Sequence, residues 1–269
     1  MKNTKHNCLF TPVQPAVSQH GGKAVYSEIF PDVKLQAFIY CYWQLKSNEP
    51  LDKPFSYRVV ADGCIDLLFE LHHPENNFVA GFSTSFSEYS LGCSFNYMGV
   101  RFLPGAFPLL FNINASELTN RFEHLAPVDP SISAFIRNRF EEALSLQAIK
   151  VQFDQYFLNH LAKGNITVDK RLFEAIKLIL NRKGILHVEK ELDTGLSSRQ
   201  LRRLFKFYIG DTAKTFSKVV RFQSLLSAKP STESLRNNKL FLDAGYYDQA
   251  HFIKEFKTFF GLTPSQVKD

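Results

Sequence analysis

Leu201-Arg202-Arg203-Leu204-Phe205-Lys206-Phe207-Tyr208-Ile209-Gly210-Asp211-Thr212 recurs 51 positions later as Phe252-Ile253-Lys254-Glu255-Phe256-Lys257-Thr258-Phe259-Phe260-Gly261-Leu262-Thr263. Chemistry is kept at Leu201/Phe252, Arg203/Lys254, Phe205/Phe256, Lys206/Lys257, Tyr208/Phe259, Gly210/Gly261 and Thr212/Thr263. Ser197 and Asp248 are also in register, and both are residue types that cap the first amides of a helix. Gly195 and Gly245 lie just ahead of them. Each copy thus reads as a glycine-containing turn, a cap, a basic amphipathic helix and a glycine stop, the pattern of the second half of a helix-turn-helix. Two copies predict two adjacent DNA-reading units.

The helix faces refine this expectation. In the first copy Leu201, Leu204, Phe205 and Tyr208 follow i, i+3, i+4, i+7 and predict the buried stripe. Arg199, Arg202, Arg203 and Lys206 follow the same spacing on another face, with Ser198 at the helix start. Like charges at i,i+4 repel by a few tenths of a kcal/mol, so such a stripe suits a polyanionic partner. Arginine matches it by bidentate bonding to guanine or by neutralising phosphate. Ser197-x-x-Gln200 fits a capping box. In the second copy Phe252, Phe256 and Phe259 are the expected buried stripe. Gln249, Ala250, His251, Lys254 and Thr258 face outward. Gln249 and His251 have the donors and acceptors for base edges or phosphate, and Ala250 has the methyl to pack on thymine. For His251 a role bonded to nearby backbone stands equally open. The first helix is expected to supply affinity, the second discrimination.

The charge distribution agrees. The chain of 269 residues, 45% hydrophobic and +6 overall, is long enough for two cores. From Asn165 onward it holds 19 Lys+Arg against 11 Asp+Glu; the first 164 residues hold 13 against 15. A basic C-terminal part behind a near-neutral one fits a nucleic-acid binder with a second function. No apolar run near Met1 suggests a signal peptide, and none reaches the ~18 residues of a membrane span. Cys8, Cys41, Cys64 and Cys93 are scattered and are expected as buried free thiols of a cytoplasmic protein.

Along the chain, strands are expected at Ala24 to Phe30, Phe38 to Leu45, Phe78 to Phe82 and Tyr97 to Leu103. Val59-Val60 and Ile65 to Phe69, flanking an Asp62-Gly63 turn, predict a hairpin. Pro104-Gly105 precedes a short helix; further helices are expected over Ser116 to Phe122, Ser131 to Leu146 and Gln152 to Leu161. Ala162-Lys163-Gly164-Asn165 reads as the linker. Beyond it helices are predicted at Asp169 to Arg182, Val188 to Leu192, Ala213 to Lys229 (capped by Thr212, stopped by Pro230) and Ser234 to Leu242. The expected fold class is α+β: a β-rich domain over 1–164, β-rich to about 125 and helical over 116–162, then an all-α domain over 165–269.

These motifs carry a resemblance. Gly195-Leu196-Ser197-Ser198-Arg199-Gln200-Leu201-Arg202-Arg203-Leu204-Phe205 resembles the first reading unit of the AraC/XylS family of bacterial transcription regulators. Gly245-Tyr246-Tyr247-Asp248-Gln249-Ala250-His251-Phe252-Ile253-Lys254-Glu255-Phe256-Lys257 through Gly261-Leu262-Thr263-Pro264-Ser265 is similar to its C-terminal signature. The resemblance implies a seven-helix domain of two helix-turn-helix units joined by one long helix, bound to successive major-groove segments of promoter DNA. By position it puts Arg199, Arg202 and Arg203, then Ala250, His251 and Lys254, on base-contacting sites. It also implies RNA polymerase as a partner, with activation and repression both open as the output. Val188-Glu189-Lys190-Glu191-Leu192-Asp193 departs from the family's small-residue Leu-Ala pair, and Arg236-Asn237-Asn238-Lys239 is more polar than usual. Val60-Ala61-Asp62-Gly63-Cys64-Ile65-Asp66-Leu67 and Gly99-Val100-Arg101-Phe102-Leu103-Pro104-Gly105-Ala106 resemble an uncharacterised domain found ahead of this module. That implies control by a small-molecule effector or a homodimerising role and names no ligand.

Catalytic readings find little support. His72-His73 with Glu70 and Glu75 has metal-ligand types, but adjacent strand residues face opposite ways. Asp62 and Asp66 read as turn and cap residues before an acid/base pair. A DNA-repair methyltransferase with a zinc-held cysteine domain needs clustered thiols, which this chain lacks. A non-specific architectural DNA-binding protein is the remaining alternative, and two distinct reading faces weigh against it. No cofactor and no metal are expected.

Overall fold

The computed structural model describes residues 10–15, 24–164, 167, 169–228 and 245–267. Six antiparallel strands form the main sheet: β1 (Ala24–Ile29), β2 (Ile39–Ser47), β4 (Ile65–Glu70), β5 (His73–Ala80), β7 (Asn96–Phe102) and β8 (Phe122–His124), in spatial order β1-β2-β7-β4-β5-β8. β3 (Phe55–Val59) and β6 (Ser87–Leu91) form a separate antiparallel pair.

Alternation along the strands sorts side chains to two faces. One face carries Tyr42, Leu67, Phe69, Val79, Met98, Val100 and Phe102 against α1 (Ala106–Phe111), α2 (Leu125–Val128), α3 (Pro130–Arg139) and α4 (Leu146–Lys163). Asp154 of α4 fastens this layer. It accepts from the Tyr42 hydroxyl at 2.9 Å and the Asp32 amide at 3.0 Å, and it pairs with Lys150. The other face carries Cys41, Trp43 and Leu45 against Phe55 and Tyr57 of β3 and against Phe95. Gly99 lets the two layers close up. Opposite Trp43 in register, it lies under the indole, where a Cβ would sit 2.2 Å from Cε2.

Several expectations are corrected here. β3 and β4 do not form a hairpin. The Asp62-Gly63 turn is present, with Asp62 Oδ1 accepting from the Cys64 amide at 2.9 Å and Gly63 at φ +80°. The backbone groups needed to extend a ladder are taken by distant partners: the Val60 amide by Gln14 Oε1, the Ala61 amide by the Phe259 carbonyl, and the Ala61 carbonyl by Gln223 Nε2. β3 pairs with β6 instead. Ser116 to Phe122 is not one helix; a 3-10 turn over Ala115–Glu117, capped by Asn114, gives way to β8. α3 stops at Arg139, because Phe140 turns extended to stack on Phe69 and Phe153. α4 starts six residues before the expected position, where the Ser145 hydroxyl caps the Ala148 amide. Cys41 and Cys64 are buried, but Cys93 is exposed in the loop between β6 and β7; Cys8 lies outside the described residues. Asp66 is no cap: it stands in β4 and its carboxylate takes both Nε and Nη2 of Arg101 across the sheet.

The C-terminal part is helical, as expected: α5 (Lys170–Asn181), α6 (Val188–Glu191), α7 (Ser198–Tyr208), α8 (Ala213–Ser227) and α9 (Gln249–Phe260). The stretch Ser234 to Leu242, with Arg236 to Lys239, lies outside the described residues. The core gathers Leu172, Ile176, Phe205, Phe216, Phe222, Phe252 and Phe256, and it extends to Val60, Ala61, Cys64 and Phe82 of the strand region. Among the described residues no helix is long and apolar enough to cross a membrane.

Candidate nucleic-acid interface

Each reading helix is fixed at its start by a side chain, so its exposed face has a defined origin. Ser197 Oγ accepts from the Gln200 amide at 3.3 Å, and Gln200 Oε1 accepts from the Ser197 amide at 3.0 Å. This is the expected capping box. Asp248 Oδ1 accepts from the His251 amide at 2.7 Å and starts α9. α8 runs on from the C-terminal end of α7 and is capped by Thr212 at the Thr215 amide. Its 15 residues span about 22 Å at ~1.5 Å each.

On α7, Phe205 is buried and Leu201, Leu204 and Tyr208 are half-buried against the same core. Ser198, Arg199, Arg202, Arg203 and Lys206 are exposed. On α9, Phe252, Phe256 and Phe259 are buried, while Gln249, Ala250, Lys254 and Thr258 are exposed. His251 is half-buried: its Nε2 lies 3.6 Å from Glu255 Oε2 and its ring 5.6 Å from that of Tyr246. Tyr247, 91% exposed and next to the Asp248 cap, is a surface aromatic that the periodicity argument passed over because it precedes the helix.

A buried charge cluster holds α9 to α8. Glu255 accepts from Arg221 Nη2 at 2.6 Å, with Lys218 at 3.7 Å. The Arg221 guanidinium also lies 4.0 Å over the Tyr246 ring and donates to the Gly245 carbonyl at 3.2 Å. Burial beside Glu255 pushes the Tyr246 hydroxyl up. Glu255 is buried, and Arg221, 34 residues earlier, is what makes that burial tolerable.

Both reading helices are gripped at their C-terminal ends by the strand region. Thr119 Oγ1 donates to the Gly210 carbonyl at 2.8 Å, just past α7. The Phe86 amide donates to the Thr258 carbonyl at 3.0 Å and the Ala61 amide to the Phe259 carbonyl at 3.3 Å, in the last turn of α9. The last four carbonyls of a helix have no partner within it, so the Phe86 and Ala61 amides fill a standing vacancy at the end of α9. No local signal could have revealed the pairing.

The two adjacent histidines do not converge on one site. His72 Nδ1 lies 3.1 Å from Glu142 and His73 Nδ1 3.3 Å from Glu75, separate partners for the two imidazoles. Among the described residues no group of three His, Cys, Asp or Glu could hold a metal ion.

Residues 193–269 match a helix-turn-helix domain family and residues 27–124 a domain of unknown function, DUF6597. Residues 193–269 thus carry a helix-turn-helix domain behind an N-terminal domain of unassigned role, and the chain is similar to HTH-type transcriptional regulators. A curated relative, an uncharacterized HTH-type transcriptional regulator of Haemophilus influenzae, is 26% identical over 242 residues, covering 81% of this chain and 76% of its own. ToxT of Vibrio cholerae O395 is similar in structure, with a TM-score of 0.43 at 15% identity over 80% of this chain and 93% of its own. ToxT bound to (E)-4-(8-methylnaphthalen-1-yl)but-3-enoic acid gives 0.39 at 15% identity over 90% and 96%.

Proposed function

We propose that the chain is a sequence-specific, non-enzymatic regulator of bacterial transcription that acts in the cytoplasm. Two reading helices address adjacent major-groove segments of promoter DNA. The domain boundary falls at 164/165, with the DNA-binding domain over 165–269 and the regulatory domain ahead of it. Ser198, Arg199, Arg202, Arg203 and Lys206 form the first reading face, and Gln249, Ala250, His251 and Lys254 the second. The N-terminal domain answers to a small-molecule effector or pairs two copies, and contact with RNA polymerase turns DNA binding into a change in transcription.

The observation that carries this reading is the pair of independently capped helices, α7 and α9, each with an apolar stripe packed on the core and an exposed polar face. The experiment is footprinting of the full chain on selected DNA. Two units about one helical turn apart predict protection of roughly 20 base pairs. Protection of a single groove segment removes the tandem reading. Equal affinity for selected and random sequence would make the protein architectural instead.

A further inference from the structure

Between the six-stranded and two-stranded sheets lies a cavity of about 330 Å³. That is at the lower end of the ~300–1,000 Å³ of small-molecule sites, a size for a molecule of one or two rings. Its walls are Trp43 and Leu68 from the large sheet and Tyr57 and Tyr89 from the small one; its floor is Asp62, Asp66 and Arg101. The Trp43 plane is fixed, since the indole rests on Gly99. Its buried Nε1 faces Asp66 without closing a hydrogen bond.

The floor carries two carboxylates for one guanidinium. Arg101 spends Nε and Nη2 on Asp66, at 3.1 and 2.8 Å, and directs Nη1 to the Tyr26 hydroxyl at 3.5 Å. That closes the Nε–Nη2 edge of its fork to an incoming anion. Asp62 Oδ2 is 3.6 Å from Arg101 Nε and accepts from Gln14 Nε2 at 2.8 Å. Burial pushes the Asp66 carboxyl up to about 6 against the pull of Arg101, and Asp62 adds to the rise. The nearby cations are engaged elsewhere, Arg58 with Glu88 at 3.6 Å and Arg121 with Glu123 at 3.7 Å. An anion entering this site meets two carboxylates. A cation gains their attraction and the faces of the surrounding rings.

We propose that this cavity is the effector site and that it takes an arylalkyl amine, with the protonated nitrogen directed at Asp62 and Asp66 and the ring between Trp43 and the tyrosines. The inference rests on the regulatory role proposed above for the N-terminal domain and supplies its site and ligand class. The route to DNA is short. Asp62 lies in the stretch whose neighbours hold the helical domain: the Ala61 carbonyl accepts from Gln223 Nε2 at 2.8 Å, the Ala61 amide donates to Phe259, and Gly63 abuts Phe216. A ligand that draws Asp62 toward the cavity therefore acts on a segment that grips the end of α9.

The test titrates the full chain with phenethylamine, 3-phenylpropan-1-ol and 3-phenylpropanoate, following Trp43, the single tryptophan. Phenethylamine should change its emission and bind at least about tenfold tighter than the carboxylate, as a close charge contact over aromatic faces requires. Asp62→Asn should bring the two within about threefold by removing the excess charge. Ala80→Leu, which fills the cavity from its wall, should abolish the response to all three while the melting temperature is kept; it decides the matter if Asp62→Asn does not fold. Equal or tighter binding of the carboxylate overturns the proposal, and so does no response to the amine at concentrations of order 10 mM. DNA affinity measured with and without saturating amine separates the two readings. An unchanged value overturns the effector assignment alone, whereas a free protein that never binds DNA selectively overturns the reading-helix assignment.

Discussion

Gln223→Leu tests whether the strand region and the helices are joined as the structure has them. The residue lies on α8, 1% exposed, and its amide makes three bonds to distant backbone. Oε1 accepts from the Val13 amide at 2.7 Å, while Nε2 donates to the Ala61 carbonyl at 2.8 Å and the Val13 carbonyl at 3.3 Å. Leucine fills similar volume and satisfies none of these groups. Each is worth ~1 kcal/mol where water can replace the partner and ~1–3 where it cannot, so the loss is about 3–6 kcal/mol. Better burial of leucine returns about 1 kcal/mol of this. For a chain of this size each kcal/mol moves Tm by roughly 2–4 °C, so a fall of about 10 °C is expected. Because the amide joins two regions, the loss should also separate their unfolding. The Trp43 transition, reporting the sheets, should precede the far-ultraviolet transition of the helices. The base preference of each half-site should be kept, because the exposed faces of α7 and α9 are untouched. A loss below ~1 kcal/mol, or a large loss with the two transitions still coincident, would refute the reasoning.

Arg202→Ala should cost about 1–3 kcal/mol on the preferred site and relax its sequence preference, read by competition against random DNA; an equal loss on both would make Arg202 a phosphate contact. Replacing Arg203 and Lys206 together should flatten the slope of log K against log[salt] by up to about 2, at ~0.9 per phosphate, whereas replacing Gln249 and His251 should leave the slope and lower selectivity. The reverse ranking would move affinity to the second helix. Glu255→Ala should destabilise the fold by roughly 3–5 kcal/mol in urea titration, because Arg221 stays behind in a buried site without its carboxylate.

The reading helices were legible because everything that defines them is local. Ser197 and Gln200 are three residues apart, Phe252, Phe256 and Phe259 recur with the helical period, and Gly261 ends α9 at φ +91°. The sheet region was legible only in part, since strand pairing is decided by partners far along the chain. Asp62-Gly63 carries a hairpin signal, yet Gln14, Gln223 and Phe259 claim the backbone beside it. β6, reading Ser87-Glu88-Tyr89-Ser90-Leu91, has no apolar run and gains its place from β3. Asp66 read as a turn or cap residue and Arg101 only as part of a strand, because their pairing appears only when β4 and β7 lie in register. Both features that bear on regulation, the cavity and the grip on the helix ends, belong to this nonlocal part.

The way the helices are held limits what regulation can act on. α8 is one continuous helix about 22 Å long, and a helix of that length changes length at the cost of its own hydrogen bonds. The N-terminal ends of α7 and α9 are fixed by Ser197 and Asp248, which belong to the helical region itself. What the strand region holds is the opposite end of each, through Thr119 at Gly210 and through Phe86 and Ala61 at Thr258 and Phe259. The approach is close at both: a Cβ on Gly210 would lie 2.5 Å from Thr119 Oγ1, and one on Gly261 2.8 Å from the Phe86 ring. Packed contacts of this kind switch between arrangements more readily than they deform. An effector that shifts the 60–64 or 81–86 segment therefore changes the angle or spacing between the reading helices and leaves the chemistry of their faces intact. Regulation of that kind alters affinity for the paired site while each half-site keeps its own base preference.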